Sequence, residues 1–109
     1  MYIDVVQVGN RVSKLIKNCD VKNYKFDINI KDKEAKIMFN KFMSIKTKAI
    51  SYVNQSDYIN AARAISDCVT VINEFMDNNL VLCEDVKVKN NRIAFFNDFL
   101  NVCREIINL

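Results

Sequence analysis

Residues Ser66–Leu109 read SDCVTVINEFMDNNLVLCEDVKVKNNRIAFFNDFLNVCREIINL, and they hold the two most regular apolar patterns of a 109-residue chain, separated by a short polar break. In the second pattern Ile93, Phe96, Leu100, Cys103 and Ile107 recur at alternating steps of three and four, the spacing that lines side chains along one helical face. Phe95, Phe99, Val102 and Ile106 widen the stripe. So broad an apolar face has to be covered on more than one side, which predicts an all-α antiparallel bundle of four main helices around this last one.

The rest of the chain supplies the other helices. Val5, Val8, Val12, Leu15 and Cys19 give a first amphipathic helix from Ile3 to about Asn18. Residues 20–30, DVKNYKFDINI, read as a connector whose Tyr24, Phe26 and Ile28 dock on the bundle; a short strand there has no partner. A second helix is expected to start between Asp27 and Asp32 and run to about Asn54, with Ala35, Met38, Phe42, Ile45 and Ala49 on its inner stripe. Ser56 is the expected N-cap of a third helix carrying Tyr58, Ala61 or Ala62, Ile65, Cys68 or Val69, Ile72 and Phe75. That helix should end around Asp77-Asn78-Asn79, Leu80-Val81-Leu82 should be buried, and Glu84 or Asp85 should cap the last helix.

Composition narrows the chemistry. One Gly and no Pro fit long helices with few tight turns. There is no His, no Gly-rich phosphate loop, and no nucleophile flanked by a base, so neither nucleotide binding nor acyl transfer has visible machinery, and no cofactor is expected. Cysteines at 19, 68, 83 and 103 form no C-x-x-C pair; Cys19, Cys68 and Cys103 fall in register with apolar stripes and read as plain buried thiols of a cytoplasmic protein. No apolar run approaches the roughly 20 residues that span a bilayer.

The net charge of +3 is unevenly placed. Residues 1–50 carry eleven Lys or Arg against five Asp or Glu, and residues 51–109 carry five against eight, so the first half is the better phosphate-facing surface. Lys31, Lys33, Lys36, Lys41, Lys46 and Lys48 read as a solvated face whose summed field steers an anionic partner, with no base contact assigned to any of them.

Several segments together carry a resemblance. Phe75-Met76-Asp77-Asn78-Asn79-Leu80-Val81-Leu82, Glu84-Asp85, and Asn90-Asn91-Arg92-Ile93-Ala94-Phe95-Phe96 resemble the "FFDxVxVM..D....NRLALL" signature that closes the β subunit of bacterial glycyl-tRNA synthetase, in its DALR-type anticodon-binding domain. Asn10-Arg11-Val12-Ser13-Lys14-Leu15-Ile16 is similar to the family's "KRVxNI" segment, and Ser56-Asp57-Tyr58 with Ala61-Ala62 to its "DYxxAL" segment. Met76 departs from an aromatic, and Phe95-Phe96 from two smaller aliphatics.

The resemblance implies a single helical domain over residues 1–109, excised from the C-terminal end of a longer β subunit. It implies a non-catalytic module that recognises the anticodon of glycine tRNA, while a separate α subunit of an α2β2 assembly adenylates glycine with ATP. The RNA-binding candidates are Arg11, Lys14, Lys87, Lys89, Asn90, Asn91 and Arg92: cations for stem phosphates, amides for unstacked bases. For Arg11 a carboxylate on a neighbouring helix is an equal expectation, and for Asn90-Asn91-Arg92 a buried tie to Asp77 or Glu74 is the other reading. The alternative function is a structural bundle for protein–protein association without RNA binding.

Overall fold

A computed structural model describes residues 2–19 and 24–107. Five helices account for most of them: α1 (Tyr2–Ile16), α2 (Lys36–Asn54), α3 (Tyr58–Ser66), α4 (Val69–Asn78) and α5 (Val86–Ile106). No strand occurs among the described residues, and the all-α bundle follows the apolar periodicities. Val5, Val8, Val12 and Ile16 of α1, Met38, Phe39, Phe42, Ile45 and Ala49 of α2, and Ile93, Phe95, Phe96, Phe99, Leu100, Val102, Cys103 and Ile106 of α5 enter one core. The first four residues of the expected 20–30 connector lie outside the described ones.

The core is built on phenylalanine. All seven of the chain's Phe residues join through edge-on or tilted ring contacts that run from Phe26 through Phe39, Phe95, Phe42 and Phe99, and from Phe95 through Phe96 to Phe75. Edge-to-face pairs set ring orientation as well as burying area. Phe95 touches four of the others, which makes α5 the central element.

Three local expectations are corrected. The third expected helix is two: at Asp67 and Cys68 the backbone switches to i→i−3 bonds, to Ala64 and Ile65, and the Cys68 thiol donates to the Ile65 carbonyl at 3.1 Å. That local tightening separates α3 from α4. The second correction concerns α2, which starts at Lys36, later than expected, because Asp32 closes a turn on the Ala35 N–H (3.3 Å) before the helix begins. The third is Leu80-Val81-Leu82, where only Val81 is buried; Leu80 and Leu82 are 79% and 49% exposed. Asn78 and Asn79 end α4 through side-chain amides that donate to the Glu74 and Phe75 carbonyls.

The α2–α3 corner also differs from expectation, because Asp57 and not Ser56 is the N-cap of α3, accepting from the Asn60 N–H at 3.2 Å. Ser56 instead sits at φ 58°, with its N–H on Val53 O (2.9 Å) and the Asp57 N–H on Tyr52 O (2.8 Å). This is a Schellman closure with a serine where glycine is usual, and a Cβ in that left-handed position costs about 1–2 kcal/mol. Ser56→Gly is therefore expected to stabilise the fold, by roughly 0.5–1 kcal/mol after the added freedom of the unfolded chain is deducted. A urea midpoint equal to or below that of the parent chain would contradict it.

Candidate nucleic-acid interface

The polar start of α5 organises this end of the bundle. Asp85 caps the helix by accepting from the Val88 N–H (3.1 Å), which opens α5 four residues ahead of Lys89-Asn90-Asn91-Arg92. Arg92 is nearly solvent-free and grips Asp32 with two hydrogen bonds, Nε at 2.7 Å and Nη2 at 2.8 Å, while Nη1 donates to the Leu80 carbonyl at 2.7 Å. Its guanidinium also lies 5.0 Å from the Phe75 ring centre. Hydrogen bonding to Asp32 holds the Arg92 pKa above its ordinary value against the opposing effect of burial.

Asn91 works beside it as a backbone mimic. Its Oδ1 accepts from the Asp27 N–H at 2.8 Å and its Nδ2 donates to the Asp27 carbonyl at 3.0 Å, so the amide pairs with that residue as a neighbouring strand would. Asn91 and Arg92 thereby clasp residues 24–33 and the α4–α5 connector to α5. This corrects their place among the candidates, since their polar atoms are spent inside the chain and do not reach the surface. The partner of Arg92 also differs from the expected Asp77 or Glu74: it is Asp32, sixty residues away.

The remaining candidates stay at the surface. Arg11 is exposed but engaged, donating to Asn73 Oδ1 at 3.0 Å and pairing with Asp77 at 2.7 Å across α1 and α4. Lys14, in the last turn of α1, and Lys87, in the first turn of α5, are exposed and take part in no ion pair among the described residues. Lys46 of the lysine face is held by Asp98 at 3.1 Å.

Lys89 and Asn90 are brought together with residues from far along the chain. They line an open cavity of about 350 Å³ with Asn18, Tyr24, Leu82 and Ile93. Cys19 and Cys83 complete its wall, and among the described residues no carboxylate lines it. A partly exposed phenol ring, two amides and an ammonium around an apolar floor suit a flat heterocycle carrying a phosphate. The sequence reading missed Asn18 and Tyr24 here. It placed Tyr24 against the core with Phe26 and Ile28, whereas Tyr24 and Ile28 are exposed and Phe26 alone docks. Cys19, expected in the core, is half-buried at this rim.

Elsewhere the chemistry is sparse. A groove of about 520 Å³ between α1, α2 and α3 sets Lys48 and Arg63 against Asp4 and Asp67, so its charges balance. Among the described residues no group of three or more Cys, Asp or Glu side chains could hold a metal ion, and no helix is long and apolar enough to cross a membrane. Burial pushes the Cys68 thiol up to about 12 and the Cys103 thiol upward as well, so neither supplies a thiolate near neutral pH.

No family model matches the chain, and no solved structure does. Curated proteins do. The glycine–tRNA ligase β subunit of Sulfurihydrogenibium sp. (strain YO3AOP1) is 30% identical over 106 residues, 96% of this chain and 16% of that protein. That of Thermodesulfovibrio yellowstonii is 29% identical over 102 residues, covering 91% and 14%. That of Halothermothrix orenii is 24% identical over 113 residues, covering 100% and 16%. The chain is related to glycine–tRNA ligase β subunits. It spans about one-sixth of the length of these relatives.

The structure also explains what the β-subunit-like motifs do in this chain. Arg11 and Asp77 join α1 to α4, Asp57 and Asp85 cap α3 and α5, and Asn91 with Arg92 clasps two loops. The residues that carry the glycine–tRNA ligase resemblance are thus largely those that set helix ends and crossings. The polar cavity beside them takes Leu82, Asn90 and Ile93 from the motifs and Asn18, Cys19, Tyr24, Cys83 and Lys89 from outside them.

Proposed function

We propose that this chain is a non-catalytic tRNA-binding module acting within a glycine–tRNA ligase β subunit, in the cytoplasm, where it grips the anticodon region of glycine tRNA. Aminoacylation itself falls to a separate catalytic subunit. The observation that carries the reading is the relationship to several glycine–tRNA ligase β subunits along 91–100% of the chain. The cavity of Lys89, Asn90, Asn18 and Tyr24 supports it, since an anticodon loop presents unstacked bases that aromatic faces and amide edges recognise. Lys14 and Lys87 are exposed cations free to meet phosphates.

The test is a gel shift of the 109-residue chain with a glycine tRNA transcript and an unrelated tRNA, between 50 and 200 mM salt. Glycine tRNA should bind more tightly and lose affinity steeply with salt. Tyr24→Ala should weaken binding by about 1–3 kcal/mol, the usual loss of one base–aromatic stack, with helical circular dichroism unchanged. Equal affinity for both tRNAs, or no response to salt, would sink the reading.

One observation favours a protein-association role instead: Leu80, Leu82 and Val86 are exposed together on the α4–α5 connector and the start of α5. Sedimentation of the chain that showed self-association, with no shift of any tRNA, would establish that role.

A further inference from the structure

Another cavity, of about 370 Å³, opens where residues 28–33 meet the first turns of α2. Its size falls within the roughly 300–1,000 Å³ of small-ligand sites. Ile28, Ile30 and Phe39 give it an apolar floor, and Phe39 is held by ring contacts at 4.8 Å to both Phe26 and Phe95. Lys31, Lys33 and Lys36 line the rim, all exposed and none in an ion pair among the described residues. Among the described residues the one carboxylate in the wall, Asp32, has both oxygens on Arg92, so its charge is already matched. The amides of Asn29 and Asn40 complete the lining.

The wall is preorganised. Asp27 is clasped by the Asn91 amide and accepts from the Asn29 N–H at 2.9 Å, and Asp32 ties the other end of the segment to α5. A ligand arriving here therefore has little loop ordering to overcome. Three uncompensated cations around an apolar floor call for an anion with an apolar body. Amides at the rim add hydrogen-bonding edges that a heterocycle can use, which favours a nucleotide over a bare phosphate.

We propose that this pocket is a second RNA subsite, taking one unstacked nucleotide of a single-stranded segment, with its base on Ile28 and Ile30 and its flanking phosphates on Lys31, Lys33 and Lys36. The inference rests on the RNA-binding reading above and places a contact where none of the family-like motifs lies. Tyr24 of the first cavity and Ile28 of this one are separated by four residues, at most about 14 Å of chain, so one RNA strand can cross both.

The experiment is fluorescence polarisation of the 109-residue chain with a fluorescein-labelled single-stranded RNA heptamer. The Lys31→Ala/Lys33→Ala/Lys36→Ala variant is compared with Lys41→Ala/Lys48→Ala/Arg104→Ala, which removes the same charge elsewhere. The rim variant is expected to bind tenfold or more weakly, and its log–log salt dependence to flatten by about two units, since each phosphate contact on a single strand contributes about 0.7. The control should lose less than threefold. Ile28→Ser, which leaves the charge unchanged, should cost threefold or more.

Equal losses in both triple variants would overturn the subsite while leaving the RNA-binding reading intact, as would an Ile28→Ser chain that binds normally. An acidic leucine-containing peptide that occupied the pocket more tightly than the heptamer would overturn it in favour of a protein partner. Failure of the parent chain to bind the heptamer at 50 mM salt, together with failure to bind glycine tRNA, would overturn both readings.

Discussion

Arg92→Ala is expected to lower the unfolding free energy by about 3–5 kcal/mol, the cost of leaving one member of a buried ion pair without its partner. Asp32 is the member left behind, with its side chain wholly buried and both oxygens committed to the guanidinium. The Leu80 carbonyl loses its donor in the same step. A domain of this size has only about 5–15 kcal/mol of stability, so the variant should unfold at a much lower urea concentration or fail to fold. The double variant Asp32→Leu/Arg92→Met keeps the bulk and removes both charges, and it should recover most of the loss. A fully stable Arg92→Ala chain with impaired tRNA binding would reverse the assignment and return Arg92 to the interface.

Phe95→Ala is expected to cost about 3–5 kcal/mol by urea denaturation, as large-to-small changes at well-packed aromatic sites do. Phe95 has no solvent exposure, and its ring centre lies 4.8 Å from Phe39, 5.3 Å from Phe42 and Phe96, and 5.4 Å from Phe26. Removing it opens a hole that four rings cannot close together, because each is also held by its own helix or loop. Phe95→Leu should cost less than about 1.5 kcal/mol, since it keeps most of the volume. Phe26→Ala, at the half-buried edge of the cluster, should fall between, releasing residues 24–33 before the bundle. A Phe95→Ala chain within 1 kcal/mol of the parent would show that the cluster has no central member.

The helices were legible because their evidence is local. The stripe from Ile93 to Ile107 and the inner face of α2 depend only on spacing within one segment, and burial follows that spacing closely. Capping was legible by residue type and mistaken by one position at Ser56, where a serine and an aspartate are both good caps. The choice fell to the Schellman closure of α2, which places Ser56 in the left-handed region and leaves Asp57 to start α3. The α3–α4 break left no sign in the apolar pattern, because Ile65, Cys68 and Ile72 are buried before, at and after it.

The candidate surface was legible only in part. Asn90-Asn91-Arg92 stands out as a polar run in an apolar helix, but nothing in the run says that Asn90 turns to a cavity while Asn91 and Arg92 turn inward to Asp27 and Asp32. Those partners lie sixty or more residues away, and a spacing rule that works within one helix has no reach across that distance. By itself the sequence determined the fold class, the central helix and the charge asymmetry, which follow from composition and short-range order, and its motif segments carried the resemblance to glycine–tRNA ligase β subunits. Only the tertiary structure decided which polar groups are consumed in holding the bundle and which remain to meet a partner. A side chain's availability depends on what the folded chain packs against it.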